Sequence, residues 1–140
     1  MRAFPMILIA VLAYNALVFG ARALGHDPAA LLAQNFPVTV MSGDVWKISL
    51  GDGLLTLSLL LLFLETIKAA RAGHREIIHH VLSVLTFAAA LAEFILLKGF
   101  GTSVFFLITL LCLFDLVAGS SLAIVAAKRD VPPPEPEANE

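Results

Sequence analysis

IIHHVLSVLTFAAALAEFILLK, residues 77–98, decides the fold. About twenty mostly apolar residues are long enough to cross a bilayer, yet this run carries His79, Ser83, Thr86 and Glu93. His79, Thr86 and Glu93 recur every seventh residue, so on a helix turning about 100° per residue they share one stripe. Hydrocarbon cannot solvate such a stripe. It predicts a membrane helix that turns one polar face toward other helices.

Composition agrees. Hydrophobic residues make up 59% of the 140 and charged ones 14%, a balance explained when lipid is the solvent. The nine Lys and Arg are scattered along the chain, and the net charge is −2, so no basic patch tracks a phosphate backbone and nucleic acid is not an expected partner. The single Cys112 excludes an internal disulfide and any Cys-based cage, and its place in an apolar run reads as a small buried hydrophobe.

Working outward, four spans are predicted, at about residues 3–19, 51–70, 77–97 and 103–127, forming one domain over residues 1–130. The first could instead be a secretory signal, because Ala21-Arg22-Ala23 has the small-x-small look of a cleavage site. Its apolar run is longer than a usual signal core, which favours a retained span. Residues 20–50 are the one long connection. Asp27-Pro28 pairs a cap with a proline at the first helical position, predicting a short helix over Ala29 to Phe36 that Pro37 ends. Val38 to Met41 and Val45 to Ile48 flank Ser42-Gly43-Asp44 and predict a small β-hairpin that lies on the bilayer or caps the helices. Trp46 suits the place where membrane meets water. Ser49 and Asp52 have the spacing of a capping box opening the second span. Lys98 to Gly101 reads as a tight turn, with Thr102 or Ser103 as the next cap. Residues 131–140, rich in Pro and Glu, read as a disordered, solvated tail.

Basic residues give the orientation. With the N-terminus inside, Arg2, Lys68, Arg71, Arg75, Lys128 and Arg129 fall on one side, against Arg22, Lys47 and Lys98 on the other. The imbalance places both termini in the cytoplasm, with Trp46, Lys68, Arg71, Arg75, Lys128 and Arg129 as interface anchors.

Each of the last three spans carries one interior acid, Glu65, Glu93 or Asp115. Glu65 shares a stripe with Gly51 and Ser58, and Asp115 lies beside the small residues Cys112, Ala118 and Gly119. Small and polar stripes are the packing faces of membrane helices. At 1.5 Å per residue, Asp115 lies near the midplane, Glu65 about 7 Å and His79 about 12 Å toward the cytoplasm, and Glu93 about 9 Å toward the outside. Tyr14 and Asn15 of the first span fall near Glu93, within reach of a hydrogen bond. Two readings follow. Asp115, Glu93, Glu65, Thr86, His79, Ser58 and Asn15 form a hydrogen-bonded core that fixes helix register, with Glu65 also able to reach Lys68 one turn away. Alternatively, His79, Glu65, Asp115 and Glu93 form a path for protons or cations.

A metal or haem site on His79, His80 and Glu65 is a weaker third reading. Adjacent histidines point about 100° apart on a helix, and no H-x-x-x-H or E-x-x-H spacing occurs. His26 falls in the outer loop, and His74 among the basic residues of the connector. No nucleophile elbow, P-loop or dinucleotide fingerprint is present, so neither an enzyme nor a cofactor is expected.

Ser49-Leu50-Gly51-Asp52, Glu65 through Arg71 and Asp115 through Gly119 resemble small uncharacterised bacterial inner-membrane proteins with four spans, a resemblance that implies no activity. The layout is also similar to a claudin-like plan, without that family's Trp-Cys-Cys features. The expectation is an all-α membrane protein, a four-helix transmembrane bundle with a short outer helix and β-hairpin between the first and second spans. It would act as a non-enzymatic subunit of the bacterial inner membrane, associating with itself or another membrane protein, or alternatively as a small transporter.

Overall fold

The structure, a computed structural model, describes residues 4–71 and 77–129. Its elements in order are α1 (Ile7–Ala23), α2 (Pro28–Leu32), β1 (Asn35–Thr39), β2 (Val45–Ser49), α3 (Leu50–Arg71), α4 (Ile77–Leu96) and α5 (Ser103–Arg129). Arg75 and the segment 131–140, read above as an anchor and a tail, lie outside the described residues.

Three helices are long and apolar enough to cross a membrane, over Leu50–Lys68, Ile78–Leu96 and Ser103–Ser121. α1 is a shorter apolar helix of 17 residues. On α3 and α4 burial is inverted relative to helices of a protein in water. The buried residues of α3 are Gly51, Ser58, Leu61 and Glu65, and those of α4 are His79, Ser83, Thr86 and Ala90. Leu59, Phe63, Leu85, Ile95, Phe106 and Phe114 point outward. An apolar exterior on helices whose packed faces hold polar groups has a low free energy only where the surrounding medium is itself apolar.

α5 packs against both α3 and α4, while α1 packs mainly against α3 and α5. The residues of α5 turned inward are Phe105, Ile108, Thr109, Cys112, Asp115 and Gly119, one stripe at helical spacing. Gly51 lets α3 sit close against α5: a Cβ added there would lie 2.7 Å from Val104 Cγ2.

Local signals set the helix starts. The Ser49 N–H donates to Asp52 Oδ2 at 2.8 Å and the Asp52 N–H to Ser49 Oγ at 3.1 Å, the reciprocal capping box. Asp27 Oδ1 accepts from the Ala29 N–H at 3.1 Å ahead of Pro28. Of the two candidate caps for α5, Thr102 is the one used, its Oγ1 accepting from the Phe105 N–H at 3.2 Å.

The outer connection departs from expectation in its boundaries. α2 ends at Leu32 rather than Phe36, and β1 is Asn35–Thr39 rather than Val38–Met41. Phe36 precedes Pro37, which disfavours helical backbone at Phe36, and proline is tolerated in a two-stranded sheet because both strands are edges. The antiparallel register pairs Asn35 with Ser49, Val38 with Trp46 and Thr39 with Val45. The turn therefore widens to take in Val40 and Met41, closed by the Gly43 N–H donating to Val40 O at 2.9 Å, with Gly43 at φ +91°. The hairpin does not cap the helices. α2 packs against α1 and α3, burying Pro28 and Leu32, whereas β1 is exposed throughout and β2 meets α3 at its own end.

Candidate functional site

The side-chain hydrogen bonds that cross between helices collect at two levels. At the first, α3, α4 and the start of α1 converge on one carboxylate. Glu65 Oε1 lies 2.7 Å from His79 Nε2, and Glu65 Oε2 accepts from the Ile7 N–H at 3.3 Å. Ile7 opens α1, so its N–H has no acceptor within the helix, and the positive end of the helix dipole faces the carboxylate. Glu65 is 2% exposed, which excludes the alternative of snorkelling to Lys68. One turn further along α4, Ser83 Oγ donates to Asp115 Oδ2 at 2.8 Å. Cys112 lies one turn from Asp115 on α5. His79 Nδ1 is buried and has no hydrogen-bond partner among the described residues.

The second level ties the middle and far end of α1 to the end of α4 and the turn between α4 and α5. Asn15 Nδ2 donates to Glu93 Oε2 at 2.8 Å and to Val11 O at 3.1 Å. Tyr14 does not join Glu93. Its hydroxyl lies 2.6 Å from Thr102 Oγ1 and donates to Gly99 O at 3.3 Å, and its ring sits 4.5 Å from Phe105 and 5.6 Å from Phe100 between centroids. The Arg22 guanidinium donates to Lys98 O.

Between the levels, about 15 Å apart along α4 from Ser83 to Glu93, the buried polar groups among the described residues are hydroxyls turned back on their own helices. Ser58 donates to Leu54 O at 2.7 Å, Thr86 to Leu82 O at 2.8 Å and Thr109 to Phe105 O at 2.9 Å. Ser58 and Thr86 are thus buried as their stripes require, but neither bonds across helices. Back-bonding of this kind satisfies a hydroxyl without a partner helix.

The remaining predicted residues lie at the periphery. Trp46, Lys68 and His80 are exposed, while Arg71, Lys128 and Arg129 lie in the last turns of α3 and α5. Among the described residues, no group of three or more His, Cys, Asp and Glu is arranged to hold a metal ion. The sequence reading missed Phe100, fully buried although it sits in a turn, and Thr109. Aromatic residues on both sides of the turn, Phe100 and Phe105, were the available signal.

Gly99 illustrates how tightly this end is built. It sits at φ +83°, and a Cβ there would lie 2.7 Å from Arg22 Nη2. Gly99→Ala is expected to cost about 1–2 kcal/mol from the left-handed backbone alone. The check is a lowered thermal unfolding midpoint in detergent, with Gly101→Ala, where a Cβ meets nothing within 4 Å, as the neutral control.

Comparison with family models, with curated proteins and with solved structures finds no match to this chain.

Proposed function

We propose that this chain is a non-enzymatic integral membrane subunit of the bacterial inner membrane, a four-span bundle whose polar core holds its helices in register. One observation carries the reading. Each of the three buried or half-buried acids is bonded by a group from another element: Glu65 by His79 and the Ile7 N–H, Asp115 by Ser83, and Glu93 by Asn15. Those bonds connect α1, α3, α4 and α5, the pattern expected of clamps between membrane helices.

α1 counts as the fourth span for a related reason. Its first N–H bonds Glu65 beside the start of α4, and its Arg22 bonds Lys98 just past the end of α4. It therefore reaches across nearly the thickness that α4 does. A helix of 17 residues is about 25 Å long, against roughly 30 Å of hydrocarbon, a gap that local thinning and snorkelling of Arg22 close. The distribution of Lys and Arg then puts both termini in the cytoplasm. A reporter fused after Glu140 that is active only in the periplasm would reverse that assignment. The polar core turns its groups inward, so the exposed faces of the helices are what remains for association with lipid, a second copy or a larger membrane complex.

The second reading is a proton or cation path along His79, Glu65, Asp115 and Glu93. The unpartnered His79 Nδ1 favours it, and the back-bonded hydroxyls between Asp115 and Glu93 oppose it. Asp115→Asn decides between them, because asparagine still accepts from Ser83 but cannot ionise. Purified protein in liposomes is expected to show no proton or cation flux in either form, with equal thermal stability. A flux that the substitution abolishes would replace the subunit reading with transport.

A further inference from the structure

The hairpin has one wholly apolar face and one mixed face, the second carrying Pro37 and the exposed Val45 among polar residues. Side chains of directly paired residues share a face, and alternate residues along a strand lie on the same side. The register therefore puts Phe36, Val38, Trp46 and Ile48 on one face, and Asn35, Pro37, Thr39, Val45, Lys47 and Ser49 on the other. The first face is wholly apolar or aromatic. It is nevertheless open: Phe36 is 68% exposed, Trp46 57% and Val38 44%. At the turn, Met41 is fully exposed as well. In water, such a face would be a standing cost of unburied apolar area.

Its position says what covers it. β2 ends at Ser49 and α3 begins at Leu50, with no residue between them to carry the hairpin away. α3 is apolar enough to cross a membrane from Leu50 onward, so the hairpin stands where that membrane begins. We infer that the Phe36, Val38, Trp46 and Ile48 face rests on the lipid surface, with Trp46 and Phe36 among the headgroups and upper acyl chains, and with Lys47, Asn35 and Thr39 turned to water. Trp is enriched at that depth because its ring is apolar in body and polar at its N–H. A second copy is the poorer occupant. Two aromatic side chains at about 150–250 Å² each, with two aliphatics already partly covered, fall short of the roughly 800 Å² per partner of a stable interface. α3 itself exposes Leu50 and then Leu57, Leu59, Leu60 and Phe63 along the apolar exterior, so the bilayer needs no new partner.

This inference rests on the proposed membrane crossing of α3, and one set of measurements separates the two. Trp46 is the only tryptophan in the chain, so its fluorescence reports the hairpin alone. In liposomes, its emission should be blue-shifted relative to free tryptophan. It should be quenched by lipids brominated near the ester end of the acyl chains, more than by lipids brominated near the middle, and resist aqueous acrylamide. In a Trp46→Phe background, Leu60→Trp, on the exposed face of α3 and about 15 Å from Leu50, should show the reverse preference, for mid-chain bromines. Phe36→Ser should return acrylamide access to Trp46 without changing the Leu60→Trp result. If Leu60→Trp is quenched by mid-chain bromines and Trp46 is quenched by acrylamide alone, the lipid assignment fails while the crossing stands. Protection of Trp46 from both quenchers would mean that protein covers the face, which also overturns the proposal. Absence of lipid quenching at Leu60→Trp would overturn the crossing itself and the assignment with it.

Discussion

Glu65→Ala is expected to lower the unfolding free energy in lipid–detergent micelles by about 3 kcal/mol, at the low end of the roughly 3–5 kcal/mol typical when one partner of a buried pair is removed. The reduction from the upper end has a physical cause. Hydrogen bonds between membrane helices contribute on average ~0.6 kcal/mol and at most ~1.7, because the unfolded chain in the membrane also finds partners. Glu65, however, loses two bonds at once, to His79 and to the Ile7 N–H, and leaves an imidazole whose other nitrogen is already unpartnered. Glu65→Gln keeps an acceptor and should cost only about 1 kcal/mol. Adding His79→Phe to Glu65→Ala removes the stranded imidazole, so the double variant should be more stable than Glu65→Ala alone. Equilibrium unfolding in rising dodecyl sulfate, followed by circular dichroism, gives all four values. If Glu65→Ala matched the unsubstituted chain, the pair would not be what ties α1, α3 and α4 together.

Tyr14→Ala should be about as damaging, at ~3 kcal/mol, within the range for emptying a buried aromatic site. The ring is fully buried, packed on Phe105 and Phe100, and Phe100 in turn lies edge-on to Phe105 with centroids 5.0 Å apart. In a bilayer, little of this comes from transfer out of water. The larger share is the dispersion lost when α1 no longer fills the space beside the turn between α4 and α5. Tyr14→Phe keeps the ring and gives up only the bonds to Thr102 and Gly99, about 1 kcal/mol. Thr102 also caps α5, so Tyr14→Phe and Thr102→Val should be non-additive, whereas Tyr14→Phe and Glu65→Gln, whose bonds to α1 lie about two turns (~10 Å) apart, should add. Equal losses for Tyr14→Ala and Tyr14→Phe would show that the ring cluster adds nothing to the fold.

Much of this architecture could be read from local patterns. The seven-residue recurrence of His79, Thr86 and Glu93 marked the inward stripe of α4, and Gly51, Ser58 and Glu65 marked that of α3. Ser49 and Asp52 announced the start of α3 by the reciprocal bonds they make. Asn15 was placed near Glu93 by depth alone, and the two are bonded. The pattern failed where a side chain had several partners at similar depth. Tyr14 falls near Glu93 in depth but bonds Thr102, and Glu65 has Lys68 one turn away but bonds His79 across the helices. It also failed for β1, whose start depends on how Pro37 restricts Phe36 rather than on apolar alternation.

The periodicity of polar and apolar side chains, together with the caps, determined which segments are helices and which face each turns inward, because helix geometry fixes the direction of every side chain relative to its own axis. The partner of each inward group was decided only by tertiary structure. A hydrogen bond closes over about 3 Å, and whether two groups come that near depends on how far each helix slides along its neighbours. That stagger is the joint result of all the contacts, including Gly51 against Val104 and the aromatic cluster around Tyr14, and no single stretch of the chain contains it.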